Sequence, residues 1–227
     1  MKNYKSVIAF LKLCFIFLIL FAMNNHNAFS QPSKIGIFDG STDIGNCLLK
    51  GSTIYNSTTQ EYTITASGAD LWDKEDAFHF LWKKMKGDFI LQFDFTFVGE
   101  AKNQGRKVGW MVRNDTTDNS AHINGMVHNH GLTCIQYRQK KGDITHAIDS
   151  KAKVLDIVRF ERRGNLYILS TAAKGEDFIT LEFTDSTHFV NDEAFVGIFM
   201  CSHEYDTKET AIIRNVKITI PEKAKGK

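Results

Sequence analysis

The chain has 227 residues and carries 28 Lys and Arg against 26 Asp and Glu, a formal net charge of +2. That balance excludes a nucleic-acid binder built on a basic stripe. A hydrophobic content of 43% is too high for a solvated disordered chain, so a packed domain is expected.

The first thirty residues read as an export leader. Lys2 and Lys5 precede a run over residues 7–23 that is almost wholly apolar, interrupted only by Lys12, and Ala28-Phe29-Ser30 offers small residues before a cut. The expected organisation is a signal peptide over 1–30, one domain over 31–221, and a basic tail over 222–227. A retained anchor is the alternative, because the apolar run is nearly long enough to span a bilayer. Cys14 sits inside that run, which argues against a lipoprotein signal.

Residues 53–55 and 61–66 are rich in β-branched and aromatic types around Asn56-Ser57-Thr58-Thr59, a hairpin signature. A polar turn follows, with Trp72 among Asp73, Glu75 and Asp76. Phe78, Phe80 and Trp82 then alternate with His79, Leu81 and Lys83. After Gly87-Asp88, the residues Phe89, Leu91, Phe93, Phe95 and Phe97 alternate with Ile90, Gln92, Asp94, Thr96 and Val98. Period two marks strands with one buried face. Five large apolar side chains on one strand face require a second apolar layer opposite. The polar face of Gln92, Asp94 and Thr96 fits a groove wall or a plain solvated wall.

Residues 99–107 read as a charged loop. Strands are expected over 108–113, 121–127, 132–139, 154–162, 166–171, 178–183, 194–202 and 211–220, with a short helical turn within 185–192. On the second of these strands, His122, Asn124, Met126 and His128 share one face. About a dozen short strands with no long amphipathic helix define an all-β class, a two-sheet antiparallel jelly-roll sandwich. Buried members should include Phe80, Trp82, Phe89, Leu91, Phe93, Phe95, Trp110, Val112, Phe160, Ile168, Val196 and Ile198.

Several motifs in order resemble a bacterial family of secreted concanavalin A-like, laminin-G-like domains of the lectin and glucanase type. They are Gly68-Ala69-Asp70-Leu71-Trp72, Asp76-Ala77-Phe78-His79-Phe80, Lys86-Gly87-Asp88-Phe89, Gly109-Trp110-Met111-Val112-Arg113, Ser120-Ala121-His122, Gln136-Tyr137-Arg138, Arg159-Phe160-Glu161-Arg162-Arg163-Gly164-Asn165, Val196-Gly197-Ile198 and Ser202-His203. The resemblance spans most of residues 40–220. It implies a jelly roll with one concave sheet. Such domains serve as sugar-binding modules, as companions of hydrolase or TolB-like propeller modules, and as proteins without assigned chemistry, so function has to come from the site.

Three functional readings stand open: a non-catalytic binder of a glycan or another neutral polar ligand, a glycoside-active enzyme, and a structural protein of a Tol-like or surface assembly. Retaining glucanases need two carboxylates about 5 Å apart. The nearest run here, Gln92-Phe93-Asp94-Phe95-Thr96-Phe97, puts Gln and Phe where those groups belong. A sugar site combines an aromatic platform with planar polar side chains. The candidate set is Trp72, His79, Asp94, Arg113, His122, Gln136, Arg138 and His203. For Arg113 and Arg138 the structural alternative is an ion pair with Asp94 or a neighbouring carboxylate. No cofactor is expected and no metal: Cys47, Cys134 and Cys201 lack zinc spacing, and 114–119 is an oxygen-rich polar loop of ordinary kind.

If the leader is cut as read, intact-mass analysis of the protein from its native host gives a chain starting at Gln31; a chain that retains Met1 contradicts it.

Overall fold

A computed structural model describes residues 34–153 and 156–221. The leader over 1–30, the start of the expected 154–162 strand at Val154 and Leu155, and the 222–227 tail lie outside the described residues. Among the described residues sixteen strands run in chain order: β1 (Gly40–Ile44), β2 (Ser52–Asn56), β3 (Glu61–Gly68), β4 (Leu71–Trp72), β5 (Glu75–Asp76), β6 (Phe78–Lys86), β7 (Phe89–Val98), β8 (Lys107–Arg113), β9 (His122–His128), β10 (Thr133–Arg138), β11 (His146–Asp149), β12 (Ile157–Arg163), β13 (Leu166–Ala172), β14 (Ile179–Thr184), β15 (Glu193–Cys201) and β16 (Glu204–Thr219). Two antiparallel seven-stranded sheets form a jelly-roll sandwich. The first has the order β1-β6-β15-β8-β9-β10-β11 and the second β14-β13-β12-β7-β16-β3-β2. No helix is present among the described residues.

Alternation explains the main core. Phe89, Leu91, Phe93 and Phe95 of β7 face Val108, Trp110 and Val112 of β8 between the sheets, joined by Val158, Phe160, Val196 and Ile198. Phe93 packs with its ring 5.2 Å from the indole of Trp110. Gln92, Asp94 and Thr96 point to the far side of β7, where Asp94 and Thr96 take up the solvated wall.

The first sheet departs from one-sided burial, because all seven residues of β8 and of β9 are buried. On its other face Phe78, Phe80, Met111, Met126, Cys134, Phe199 and Cys201 form a second apolar cluster with Ile44 and Leu71. The burial expected of Phe80 and Ile168 holds, though neither lies in the main core, and that expected of Trp82 is corrected. Phe80 is buried, but in this second cluster. Trp82 packs at its margin and is only half-buried. Ile168 is buried on the face of β13 opposite Tyr167 and Leu169.

The cover over the second cluster is the β4–β5 hairpin, which the sequence patterning left as a turn. Its two strands pair only Leu71 with Asp76 and Trp72 with Glu75. Leu71 is fully buried in the cluster, while Trp72 stays 47% exposed. Gly68 makes the departure from β3 feasible: its φ is +121°, and a Cβ there would sit 2.0 Å from the Ala77 carbonyl oxygen. Residues 185–192 hold turns rather than a helical segment, and Lys107 belongs to β8 rather than to a charged loop.

Replacing Phe93 by Ala removes a fully buried ring from between the sheets and is expected to cost about 3–5 kcal/mol in denaturant unfolding; a loss below about 1 kcal/mol would contradict this packing.

Candidate functional site

Four strands and the hairpin meet at one end of the first sheet. Register places Lys107 beside His128, Asn124 beside Gln136, and Cys134 beside Asp149 across β8, β9, β10 and β11. Because side chains alternate along a strand, Lys107, His128, Asn124, Cys134 and Gln136 all face away from the main core. The hairpin lies over them. Between hairpin and sheet opens a cleft of about 370 Å³ whose walls include Asp70, Trp72, Lys107, His128, His130, Gln136, Asp149 and His203.

The hairpin is held by a buried ionic network. Asp76 accepts two hydrogen bonds from Arg138, Nη2 to Oδ1 at 2.8 Å and Nη1 to Oδ2 at 3.0 Å. Arg113 Nη2 lies 3.4 Å from Asp76 Oδ2. All three side chains are fully buried. Two guanidiniums facing one carboxylate would be costly if their remaining N–H groups went unpaired. Backbone carbonyls complete the shell: Arg138 also donates to Asp143, Asp73, Asp118 and Ser120, and Arg113 to Asp115 and Thr117. One carboxylate thus ties together the hairpin, the 114–120 loop and the 140–145 loop. Burial still lowers the Arg113 pKa to about 10, against the opposing pull of Asp76.

His122 sits in the same network, with Nδ1 3.7 Å from Asp76 Oδ2 and 3.4 Å from the Ser120 carbonyl. Complete burial, reinforced by the neighbouring arginines and only partly opposed by Asp76, pushes its pKa down to about 4. His128 is also lowered to about 4, chiefly by burial and then by Lys107. Its Nδ1 donates to the Leu132 carbonyl at 3.1 Å. Lys107 is 2% exposed, and its ammonium is paired with Asp70. His203 Nδ1 approaches Asp70 Oδ2 at 3.5 Å without a hydrogen bond. Burial, then Lys107, lowers the His203 pKa.

Several buried polar atoms have no hydrogen-bond partner among the described residues. Around this face they include both amide atoms of Asn124, Oε1 of Gln136, Nε2 of His122 and Nδ1 of His203. Such atoms cost stability unless something outside the chain pairs with them. Gln136 belongs to the cleft lining and is 5% exposed, with its Oε1 out of solvent.

The expected site residues therefore separate into three groups. Trp72, Gln136 and His203 line the cleft. Arg113, His122 and Arg138 stand beside it on the same face, in the Asp76 network and out of solvent. His79 and Asp94 are elsewhere. His79 Nδ1 bonds Asp43 at 2.7 Å and its Nε2 meets Thr53 at 3.1 Å, joining β1, β6 and β2. Asp94 is in the second sheet, where it accepts from Asn215 at 2.6 Å. It shares no face with the arginines, whose carboxylate is Asp76. Asp70, Lys107 and Asp149 carry no site signal in the sequence, and His128 and His130, which flank a turn, read there as ordinary hydrogen-bonding histidines rather than metal ligands. The alternation of β9 already placed His128 on the face of Asn124.

A larger groove of about 430 Å³ runs past Tyr55, Tyr62, Arg214 and Lys217. Two of its polar groups are paired within the chain: Tyr62 Oη accepts from Ile37 N at 3.0 Å, and Arg214 pairs with Glu61. The smaller cleft, with an unpaired buried amide and an exposed indole, is the candidate site. Among the described residues no His, Cys, Asp and Glu side chains gather as a metal centre.

No protein-family model and no curated protein matches the sequence. Solved structures share the fold. A functionally unknown protein from Saccharomyces cerevisiae superposes with a TM-score of 0.57 at 14% identity, over 76% of this chain and 93% of that one. A family 7 alginate lyase in complex with product gives 0.48 at 8% identity, over 74% and 82%. The exoplasmic/lumenal domain of VIP36, in a calcium- and glycan-bound form, gives 0.48 at 11% identity, over 78% and 84%. Identities this low show a shared fold and nothing of function.

Two measurements check this account. Asp76→Ala strands two buried guanidiniums and is expected to cost about 3–5 kcal/mol, whereas Trp72→Ala leaves the melting temperature nearly unchanged; equal effects would contradict the division between support and surface. The second is pH. The unfolded chain binds protons at His122 and His128 near the ordinary value of 6.5, whereas the folded chain does so only near 4. Their stabilising contribution is complete above about 6.5 and falls away as pH drops toward 4. The melting temperature should fall over that window, and less so in a His122→Gln, His128→Gln variant.

Proposed function

We propose that this protein is an exported, non-catalytic binding module that takes a carbohydrate in the cleft between the β4–β5 hairpin and the first sheet. The observation that carries this reading is the pairing of an exposed indole, Trp72, with the buried unpaired amide oxygen of Gln136 in one cleft. A pyranose has an apolar face that stacks on an aromatic ring and hydroxyls that pair with planar polar groups. The cleft volume is within the range of small-ligand sites. In this reading Trp72 stacks, Gln136 and His203 hydrogen-bond, and Arg113, His122 and Arg138 hold the wall in place.

The same geometry favours binding over hydrolysis. Glycoside hydrolysis by either common route uses two carboxyl groups. Asp70 is held by Lys107 and Asp76 by two arginines, which leaves Asp149 as the open carboxylate of the cleft lining. Export rests on the leader-like residues 1–30.

A glycan array on the purified protein, followed by titration of its hits, tests this reading. Trp72→Ala and Gln136→Ala should remain folded and lose affinity, while Arg138→Ala should lose stability. Wild-type protein should release no reducing ends from a bound oligosaccharide. Steady turnover of that hit, or full affinity in Trp72→Ala, would overturn the reading.

A further inference from the structure

We propose that the ligand held in this cleft carries a protonated amine, which makes it a sugar with a free amino group rather than an acidic or N-acylated one. The inference rests on the carbohydrate reading above and names the class of sugar.

The cleft has free acceptors and no unpaired lysine or arginine among its lining residues. Lys107 is its buried cation, and Asp70 neutralises it. No arginine is among the lining residues, because Arg113 and Arg138 are turned into the Asp76 network. On the acceptor side, Asp149 is exposed and makes no ion pair or side-chain hydrogen bond among the described residues. Gln136 offers an unpaired Oε1. His128 and His130 lie with ring centroids 5.3 Å apart. Each has its Nδ1 aimed at a carbonyl oxygen, Leu132 at 3.1 Å and Gln104 at 2.8 Å. A neutral ring that donates from Nδ1 keeps a lone pair on Nε2.

The charges of the lining then sum to that of one carboxylate. Asp149 lies on β11 and Lys107 on β8, three strand spacings of about 4.8 Å, so the two are about 14 Å apart along the sheet. Lys107 is already neutralised by Asp70, so it is not a counter-charge for Asp149. An acidic sugar would place its carboxylate among acceptors and beside Asp149 with no free cation to receive it. An ammonium brings three donors and a charge to the same groups. The face of Trp72 also attracts cations. N-acylation would remove the charge and leave a single N–H donor.

Isothermal titration of the purified protein with matched tetramers of glucosamine, N-acetylglucosamine, glucose and guluronate, at a pH where the amine is protonated, tests the proposal. The glucosamine tetramer should bind about tenfold more tightly than its acetylated twin, the scale of one charge-assisted hydrogen bond. Asp149→Asn, a change at an exposed edge-strand position, should erase that advantage while Trp72→Ala weakens every ligand. Equal or tighter binding of the acetylated or glucose tetramer removes the amine and leaves the carbohydrate reading intact. Tighter binding of the guluronate tetramer, or an amine preference that survives Asp149→Asn, overturns the charge argument. Binding of none of the four overturns both.

Discussion

The bidentate contact between Asp76 and Arg138 is the interaction on which the rest of the site depends. It is fully out of solvent, and its geometry is that of a fork meeting a carboxylate, at 2.8 and 3.0 Å. Arg113 joins from the adjacent side. A buried ion pair of this kind is poor evidence for net stability, because desolvation offsets much of the attraction. Its value here is positional. The arginines reach from the ends of β8 and β10 to backbone carbonyls of three loops, so the hairpin that carries Trp72 has one place to sit.

That constraint explains why the first sheet is buried on both faces. Leu71 closes an apolar cluster over Phe78, Phe80, Met111 and Phe199, which would otherwise be a large exposed patch. Phe78 packs edge-on against Phe199 at 5.6 Å and lies under the Arg113 guanidinium at 5.2 Å. Where the cluster ends, around Lys107 and Cys134, the cover lifts and the cleft begins. The apolar half of the face sets the height of the hairpin, and the polar half receives whatever enters beneath it.

The architecture was largely legible in the sequence, because a period of two in β7, β8 and β9 is a direct consequence of strand geometry. The main core followed from it. Less legible was which sheet each strand joins. Asp94 looked like a neighbour of Arg113 and Arg138, yet β7 pairs with β12 and β16 in the second sheet. The true partner, Asp76, stands 62 residues before Arg138 in a segment that reads as a charged turn. Hydrophobic patterning carries no information about such a pairing, since a carboxylate looks the same in a loop whether water or two guanidiniums surround it. Lys107 was missed for a similar reason: a lysine at a strand start is ordinarily solvated, and only the tertiary approach of Asp70 buries it. Trp72 was recognised because an indole in a polar turn is conspicuous in any register.

The central claim is that the Asp76 network exists to present Trp72 and Gln136 to a sugar. A crystal structure of the protein with a bound oligosaccharide tests it most directly. The account predicts a sugar ring lying against Trp72, with a ligand donor on Gln136 Oε1 and the Asp76–Arg138 contact unchanged. A sugar seated instead in the groove beside Tyr55 and Arg214, or on the Asp94 face of the second sheet, would contradict it.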